Sequence, residues 1–388
     1  MRIVADQNIP QVESAFSELG DVELLPGRKI SQNHLIDCQC LLVRTVTTID
    51  KNLLHNTPVQ FIASATIGTD HVDLDYLKQQ GITFSNAIGC NAEAAAEYVI
   101  SGIFALSQQK NFDPFKRKAG IIGYGNVGAS LLQKLRTLGI EALVCDPPKA
   151  EQANKAIDYV DLETIISECD LISLHVPLSY LGDHPTHHLF NQHNLARLKH
   201  RCLFINAARG PVVDNLALKD IIGQRPDLIT FLDTWENEPN VSRSLLEQID
   251  LATPHIAGYS VEGRLRATEM IYDAACRHFN KSKHWKMSDQ LTKPRLIDKI
   301  SAKHSLDFWQ QLFQQHHNIW QDNLALKNTS ELGNSHFAHH FDSLRKIYPD
   351  RHEYDRYILN SHQIIDSSKK NVFDIKKAAL IAHELLFQ

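Results

Sequence analysis

The chain has 388 residues, enough for two or three domains with cores of their own, which excludes a small stapled module. Apolar residues make up 43% and charged residues 22%, the balance of a folded chain rather than a disordered one. Lys plus Arg number 40 against 45 Asp plus Glu; the net charge of −5 argues against nucleic acid or an anionic membrane as partner and favours a small molecule.

No apolar run approaches the roughly 18–20 residues of a membrane span, and the opening MRIVADQNIP lacks the zones of a signal peptide, so a cytoplasmic protein is expected. The seven cysteines (Cys38, Cys40, Cys90, Cys145, Cys169, Cys202 and Cys276) are odd in number and form no CxxC. Several sit in apolar runs, so buried free thiols are expected.

The first elements are short β-like runs at 2–5, 41–44 and 61–64, each followed by a polar or Gly-bearing turn, the pattern of alternating β and α units. Asn91 is placed to cap a long helical segment, AEAAAEYVISGIFALSQQ, which NFDPFKRK breaks. From Ala119 the runs AGIIG, EALVCD, DLISLHVP, CLFINAARG, LITFLD and DLATPH recur without alternation, as strands covered on both faces of a parallel sheet do. Between the first two, Leu131, Leu132, Leu135 and Leu138 stand at helical spacing, closed by Gly139. After about residue 286 Gly nearly vanishes, and 11 of the 21 histidines fall between His278 and the end, which marks a third unit. Its helical stretch carries Phe308, Leu312 and Ile319 on one side; with Trp309, Phe313 and Trp320 the aromatic surface suits either a core or a subunit interface.

Gly123-Tyr124-Gly125-Asn126-Val127-Gly128 follows the run AGII and opens the Leu-rich helix, and Asp146 ends the next run 23 residues after Gly123. Strand, glycine loop, helix, strand and acid form the dinucleotide fingerprint with its context. Asp146 can accept from both ribose hydroxyls and would repel a 2′-phosphate, so NAD is expected rather than NADP. Ligands of an open parallel sheet bind outside the carboxyl ends of the strands. Those ends carry the Gly loop, Asp146, His175-Val176-Pro177, Ala208-Arg209-Gly210, Asp233 and His255. His255 suits a general base, Glu238 could fix its tautomer, and Arg209 could clamp a carboxylate with two prongs. The pairs His187-His188, His316-His317 and His339-His340 lack the further ligands a metal site needs, so no metal is expected.

The segments ADQNIP, LLVRTVT, SATIGTDHVDL, NAIGCNAEAAAEYV, GIIGYGNVG, INAARGPVVD, FLDTWENEP and ATPHIAGYS carry a likeness. The chain resembles the D-isomer-specific 2-hydroxyacid dehydrogenases over about residues 1–285. FDSLRKIYPDRHEY, in the C-terminal extension, narrows the likeness to a branch that acts on a four-carbon phosphorylated 2-hydroxy acid.

The resemblance implies an α/β protein with two Rossmann-like doubly wound parallel-sheet domains plus an α+β C-terminal dimerisation domain. A substrate domain formed by 1–97 and 256–286 would surround an NAD-binding domain at 98–255, and 287–388 would make a homodimer. Arg209, Glu238 and His255 fall on the family's catalytic Arg, Glu and His. The Gly123–Gly128 loop, Asp146, His175, Ala207, Ala208, Asp233 and Gly258 are the expected NAD contacts, although HVPLS at His175 stands where the family more often has HTPLT. Thr45, Thr66 and Tyr259 match substrate positions. The backbone around Thr66 to Gly68 could hold a carboxylate and Arg44 a phosphate, with Arg345 a further candidate if the C-terminal unit covers a pocket. The same core would serve 3-phosphoglycerate, hydroxypyruvate or glyoxylate, and the fold alone would also serve a nucleotide-sensing binding protein.

Overall fold

The computed structural model describes residues 1–152, 157–328, 333–359, 364–366 and 372–386. The chain forms two compact units, one of Met1–Asn91 with Ser260–Lys293 and one of Ala92–Tyr259 with Pro294–Gln388.

In the first unit the apolar runs become β1 (Arg2–Asp6), β2 (Asp21–Leu25), β3 (Cys40–Val43), β4 (Phe61–Ser64) and β5 (Thr83–Asn86). They pair in the order β2-β1-β3-β4-β5, every pairing parallel. All residues of β3 and β4 are buried, because side chains that alternate in direction meet a covering layer on each face. Ile3, Leu42, Phe61 and Ala63 share a core with Phe16 and with Ile271, Tyr272 and Ala275 of the helix Val261–His278. Val4, Leu41, Val43 and Ile62 face the opposite way, onto Ile49, Leu53 and Leu77. The strand order reverses at β1 and β3, whose carboxyl ends bring Asp6 and Arg44 together.

The second unit contains β6 (Ala119–Ile122), β7 (Ala142–Cys145), β8 (Leu171–Leu174), β9 (Leu203–Asn206), β10 (Ile229–Leu232) and β11 (Leu251–Ala252). These form a parallel sheet in the order β11-β10-β9-β8-β6-β7. The six non-alternating runs of the sequence are these six strands. Leu131, Leu132 and Leu135 of the helix Asn126–Thr137 pack with Ile103 and Phe104 of the helix Ala92–Lys110 on one side of the sheet. Ile165, Leu218 and Leu245 cover the other. The order reverses at β6 and β8, the point where doubly wound sheets bind nucleotides.

The C-terminal stretch from Pro294 belongs to this second unit, where the sequence suggested a domain of its own over 287–388. It is mainly helical, with two short parallel pairs: β12 (Arg295–Leu296) with β14 (Tyr357–Ile358), and β13 (Ile300–Ala302) with β15 (Ile364–Asp366). Phe308, Trp309 and Phe313, on the helix Ser305–His316, are at most 2% exposed, and Phe313 meets Phe104 with ring centres 4.8 Å apart. These aromatics therefore serve the unit's own core, and they offer no free face for a subunit interface. Trp320 is partly buried against the same core. No helix among the described residues is long and apolar enough to cross a membrane.

Candidate active site

β6 ends at Ile122, and the chain turns at Gly123 with φ +93°, where a Cβ would lie 2.7 Å from the carbonyl oxygen of His175. A Cβ on Gly128 would stand 2.0 Å from the carbonyl oxygen of Gly123. Packing thus requires the first and third glycines of the fingerprint. Gly125 differs: it is exposed, with nothing within 4 Å of a built Cβ, so its backbone is open to an incoming pyrophosphate. The helix Asn126–Thr137 starts beside it with no side-chain cap, leaving its first amides to an anion. The loop and helix start, from Tyr124 through Val127, therefore fit a dinucleotide.

Asp146 follows β7. It accepts the Tyr124 amide at 2.7 Å and caps the turn Pro147–Ala150 through the Lys149 amide at 3.1 Å. The Lys149 ammonium donates to the Tyr124 carbonyl and lies 5.1 Å from the centre of its ring. This cation beside the expected ribose acid is one that sequence reasoning missed. His175 follows β8, with Nε2 2.8 Å from Ser173 Oγ; burial pushes its pKa down to about 3, so the ring is neutral. Its Nδ1 is buried with no partner among the described residues, a vacancy that suits a ligand carrying hydrogen-bonding groups.

The ends of β9, β10 and β11 carry the expected acid/base groups. After β9, Asn206 holds the loop by accepting the Ala208 amide and donating to the Arg209 carbonyl, both at 3.1 Å. Ala207 is partly buried and Ala208 buried, while the Arg209 side chain is exposed, with Nη1 donating to the Ala208 carbonyl at 2.8 Å. Gly210 then packs on the main chain of Trp235. Trp235 is buried; its amide donates to Glu238 Oε1 at 2.7 Å and its indole to the Thr253 carbonyl at 2.9 Å. The other Glu238 oxygen lies 2.7 Å from His255 Nδ1. Burial acts to raise the Glu238 pKa, but the His255 charge and hydrogen bond, the Trp235 amide and the Arg345 charge together hold it below the usual range. The carboxylate is therefore ionised. Trp235, which no motif singled out, joins all three expected catalytic segments.

Asp233, an expected cofactor contact, turns its carboxylate inward. It accepts from the Thr253 hydroxyl at 2.7 Å and from the amides of Ile256 and Ala257 at 2.9 and 3.0 Å, while its carbonyl accepts the His255 amide at 2.7 Å. Burial raises its pKa against the opposing His255 charge. This residue holds the loop in which His255 has φ +57°, a left-handed conformation that costs on the order of 1–3 kcal/mol and needs such support. Gly258 and Tyr259 follow, partly exposed, the Tyr259 ring 6.0 Å from that of Tyr348.

The expected substrate residues of the first unit also stand at strand ends. Arg44, after β3, donates from Nε to Asp6 at 2.9 Å; Asp6 is fully buried and also accepts from Asn8. Thr45 is exposed beside it. After β4, Thr66 Oγ1 lies 2.7 Å from Ser64 Oγ, which is 3.3 Å from His71 Nε2. Burial lowers the His71 pKa, against the Asp70 charge. Gly68 would meet only Asp70 with a Cβ, at 3.3 Å. Arg345, in the second unit, is half-buried, with Nε buried and without a partner among the described residues.

All seven cysteines are free and buried, and burial pushes the thiols of Cys169 and Cys202 up to about 12, which disqualifies them as nucleophiles. His187 and His188 come within ligating distance of Glu236, which the spacing of the histidine pairs did not suggest; His188 Nε2 is hydrogen-bonded to that carboxylate at 2.7 Å.

Residues 90–257 match the family described as D-isomer specific 2-hydroxyacid dehydrogenase, NAD binding domain. An erythronate-4-phosphate dehydrogenase of Pseudomonas fluorescens is 42% identical over 358 residues, 92% of this chain and 93% of that one. One of Proteus mirabilis is 39% identical, over 91% and 93%. Among solved structures, the NAD⁺-bound 3-phosphoglycerate dehydrogenase of Entamoeba histolytica matches 72% of this chain and 95% of its own, with TM-score 0.59 and 22% identity. D-lactate dehydrogenase of Aquifex aeolicus, in complex with NAD and lactic acid, matches 72% and 96%, with TM-score 0.57 and 22% identity. Those two likenesses are of fold, while the identity to the curated relatives extends over nearly the whole chain. The chain belongs to the erythronate-4-phosphate dehydrogenases, within the D-isomer-specific 2-hydroxyacid dehydrogenase family.

Proposed function

We propose that the chain catalyses NAD-dependent oxidation of 4-phospho-D-erythronate to 2-oxo-3-hydroxy-4-phosphobutanoate, a step in the biosynthesis of pyridoxal 5′-phosphate. The observation that carries the chemistry is the Glu238–His255 pair at 2.7 Å, joined through Trp235 to the loop that bears Arg209; the choice of substrate is supported by the likeness to the curated relatives over nearly the whole chain. NAD, held at the Gly123–Gly128 loop and Asp146 with His175, Ala207, Ala208 and Gly258 beside it, supplies the hydride acceptor when bound.

The chain's own residues manage the proton and the charges. With Nδ1 committed to Glu238, Nε2 of His255 is the nitrogen left to take the proton of the C2 hydroxyl, a role worth roughly 10²–10⁴-fold in rate. Glu238 keeps the proton of the neutral ring on Nδ1 and stabilises the imidazolium formed as the hydroxyl proton arrives. Asp233 acts through the His255 loop. Arg209 takes the substrate carboxylate with two prongs and polarises the C2 oxygen as it becomes a carbonyl. The amides around Thr66 to Gly68 give the carboxylate a second hold, Arg44 and Thr45 meet the C4 phosphate, and Tyr259 contacts the substrate. The enzyme works in the cytoplasm as a homodimer, a reading that the family resemblance supports; light scattering at micromolar concentration tests the dimer.

The decisive experiment follows NADH formation with 4-phosphoerythronate and 3-phosphoglycerate side by side, together with the reverse reaction on 2-oxo acids. Strong preference for 4-phosphoerythronate is expected. Preference for another acid would keep the catalytic roles and discard the pathway, and NAD binding without any turnover would make the chain a sensor.

A further inference from the structure

We propose that Arg351, supplied by the C-terminal extension, is a positioning residue that fixes the Gly258 peptide beside His255 for the cofactor. Arg351 is 4% exposed. Its Nε donates to the Tyr259 carbonyl at 2.9 Å and its Nη2 to the Ala257 carbonyl at 2.5 Å. Nη1 reaches the Ala94 carbonyl at 3.2 Å, and the guanidinium carbon lies 4.9 Å from the Tyr98 ring centre, which ties the cation to the long helix Ala92–Lys110. All its hydrogen bonds among the described residues go to main-chain carbonyls. The hydrogen bonds of the group are therefore directed at the backbone, while its charge also acts on the buried Glu97 carboxyl, whose pKa burial raises and this charge lowers.

The same short loop is gripped from its other side by Asp233, which accepts the amides of Ile256 and Ala257. An anion takes the N–H groups and a cation takes the C=O groups, so Ala257 is held through both. The peptide unit is planar and trans; with the Ala257 carbonyl directed at the guanidinium, the Gly258 N–H must point away from it. That fixes the one donor Gly258 offers. A fork is needed to reach two carbonyls two residues apart, and an ammonium, as a point charge, does not reproduce it. Two residues upstream, His255 sits at φ +57°, a conformation that persists only where its surroundings over-determine it. The inference rests on reading Gly258 as a cofactor contact in the proposed dehydrogenase.

Arg351→Lys and Arg351→Met test it in the full chain, by fluorescence titration of NADH without substrate, thermal melting, and steady-state kinetics with 4-phosphoerythronate. Both variants are expected to fold and to bind NADH about tenfold more weakly or worse. The KM for NAD should rise and kcat fall, with kcat/KM down about 10²-fold. Parent-like NADH affinity in a folded variant overturns the proposal, and so does loss of folding in both, which would give Arg351 to the fold alone. Should the parent protein turn over no 4-phosphoerythronate, the proposed reaction fails, but the NADH titration still decides the role of Arg351.

Discussion

Gly210 lies so close to Trp235 that a Cβ built on it would stand 1.8 Å from the Trp235 carbonyl oxygen. The obstacle is main chain, which cannot rotate aside as a side-chain tip can. Trp235 in turn gives its amide to Glu238 and its indole to the Thr253 carbonyl, so a shift there reaches the partner of His255. Gly210→Ala is expected to lower stability by about 1–3 kcal/mol through overpacking, and kcat/KM by about 10²-fold through misplacement. Melting and steady-state kinetics check both. Parent kinetics in a destabilised Gly210→Ala protein would mean that the Arg209 loop and the Glu238–His255 pair are not coupled through Trp235.

Asp146 has two duties, as acceptor for the Tyr124 and Lys149 amides and as the expected partner of the ribose hydroxyls. Asp146→Ala should therefore cost about 1 kcal/mol for the lost cap. It also removes the negative charge that would repel a 2′-phosphate, leaving Lys149 at the same place. The ratio of kcat/KM for NADP over NAD should rise by about tenfold or more, equivalent to about 1.4 kcal/mol. Adding Lys149→Ala should abolish the gain for NADP without restoring NAD. An unchanged ratio in Asp146→Ala would remove Asp146 from cofactor selection.

Much of this was legible from apolar runs and the residues ending them, because strands covered on both faces lose alternation and their carboxyl ends face the ligand. The six runs after Ala119 are β6 to β11, and the glycine spacing located the turn that only Gly123 can make. The parts that stayed hidden work through the main chain. Trp235 acts by its carbonyl and amide, Asp233 by the amides it accepts, and Arg351 by carbonyls 92 and 94 residues away, and no side-chain pattern encodes such contacts. The aromatic stretch Phe308 to Phe313 was ambiguous for a different reason. Apolar periodicity says that a face is covered but not by what, and here Phe104 of the same unit covers it.

Arg44 meets Asp6 through Nε, while Nη1 and Nη2 have no protein partner among the described residues. Asp6 is fully buried, so Arg44→Met leaves a carboxylate with only Asn8 to answer it. A loss of about 1–3 kcal/mol is expected, less than for a wholly buried pair because Arg44 is a third exposed. If the free edge of the guanidinium meets the C4 phosphate, the KM for 4-phosphoerythronate rises at least about tenfold in the same variant. The double variant Asp6→Asn with Arg44→Met separates the two effects, since it should regain stability and keep the high KM. Recovery of both together would show that Arg44 serves only to neutralise Asp6.

Glu238 gives a pH test of the catalytic pair. Its pKa in the folded chain lies below the ordinary 4.5: burial alone would raise it, but the His255 charge and hydrogen bond, the Trp235 amide and the Arg345 charge outweigh that. A carboxyl whose folded pKa is depressed stabilises the fold fully above its unfolded pKa, and that contribution disappears as pH falls through the folded value. Glu238→Gln removes the titration and keeps an oxygen that can accept from His255 Nδ1. The gap in melting temperature between parent and variant should be largest near neutral pH and shrink as pH drops below about 4.5. A gap that stays constant down to pH ~3 would mean that the carboxylate gains nothing from its partners in the fold. In turnover, the amide orients the ring but carries no charge to offset the imidazolium, so kcat should fall by about 10²-fold while NADH affinity is kept. Loss of NADH affinity together with turnover would instead make Glu238 part of the cofactor site, and its pairing with His255 would then not account for the activity.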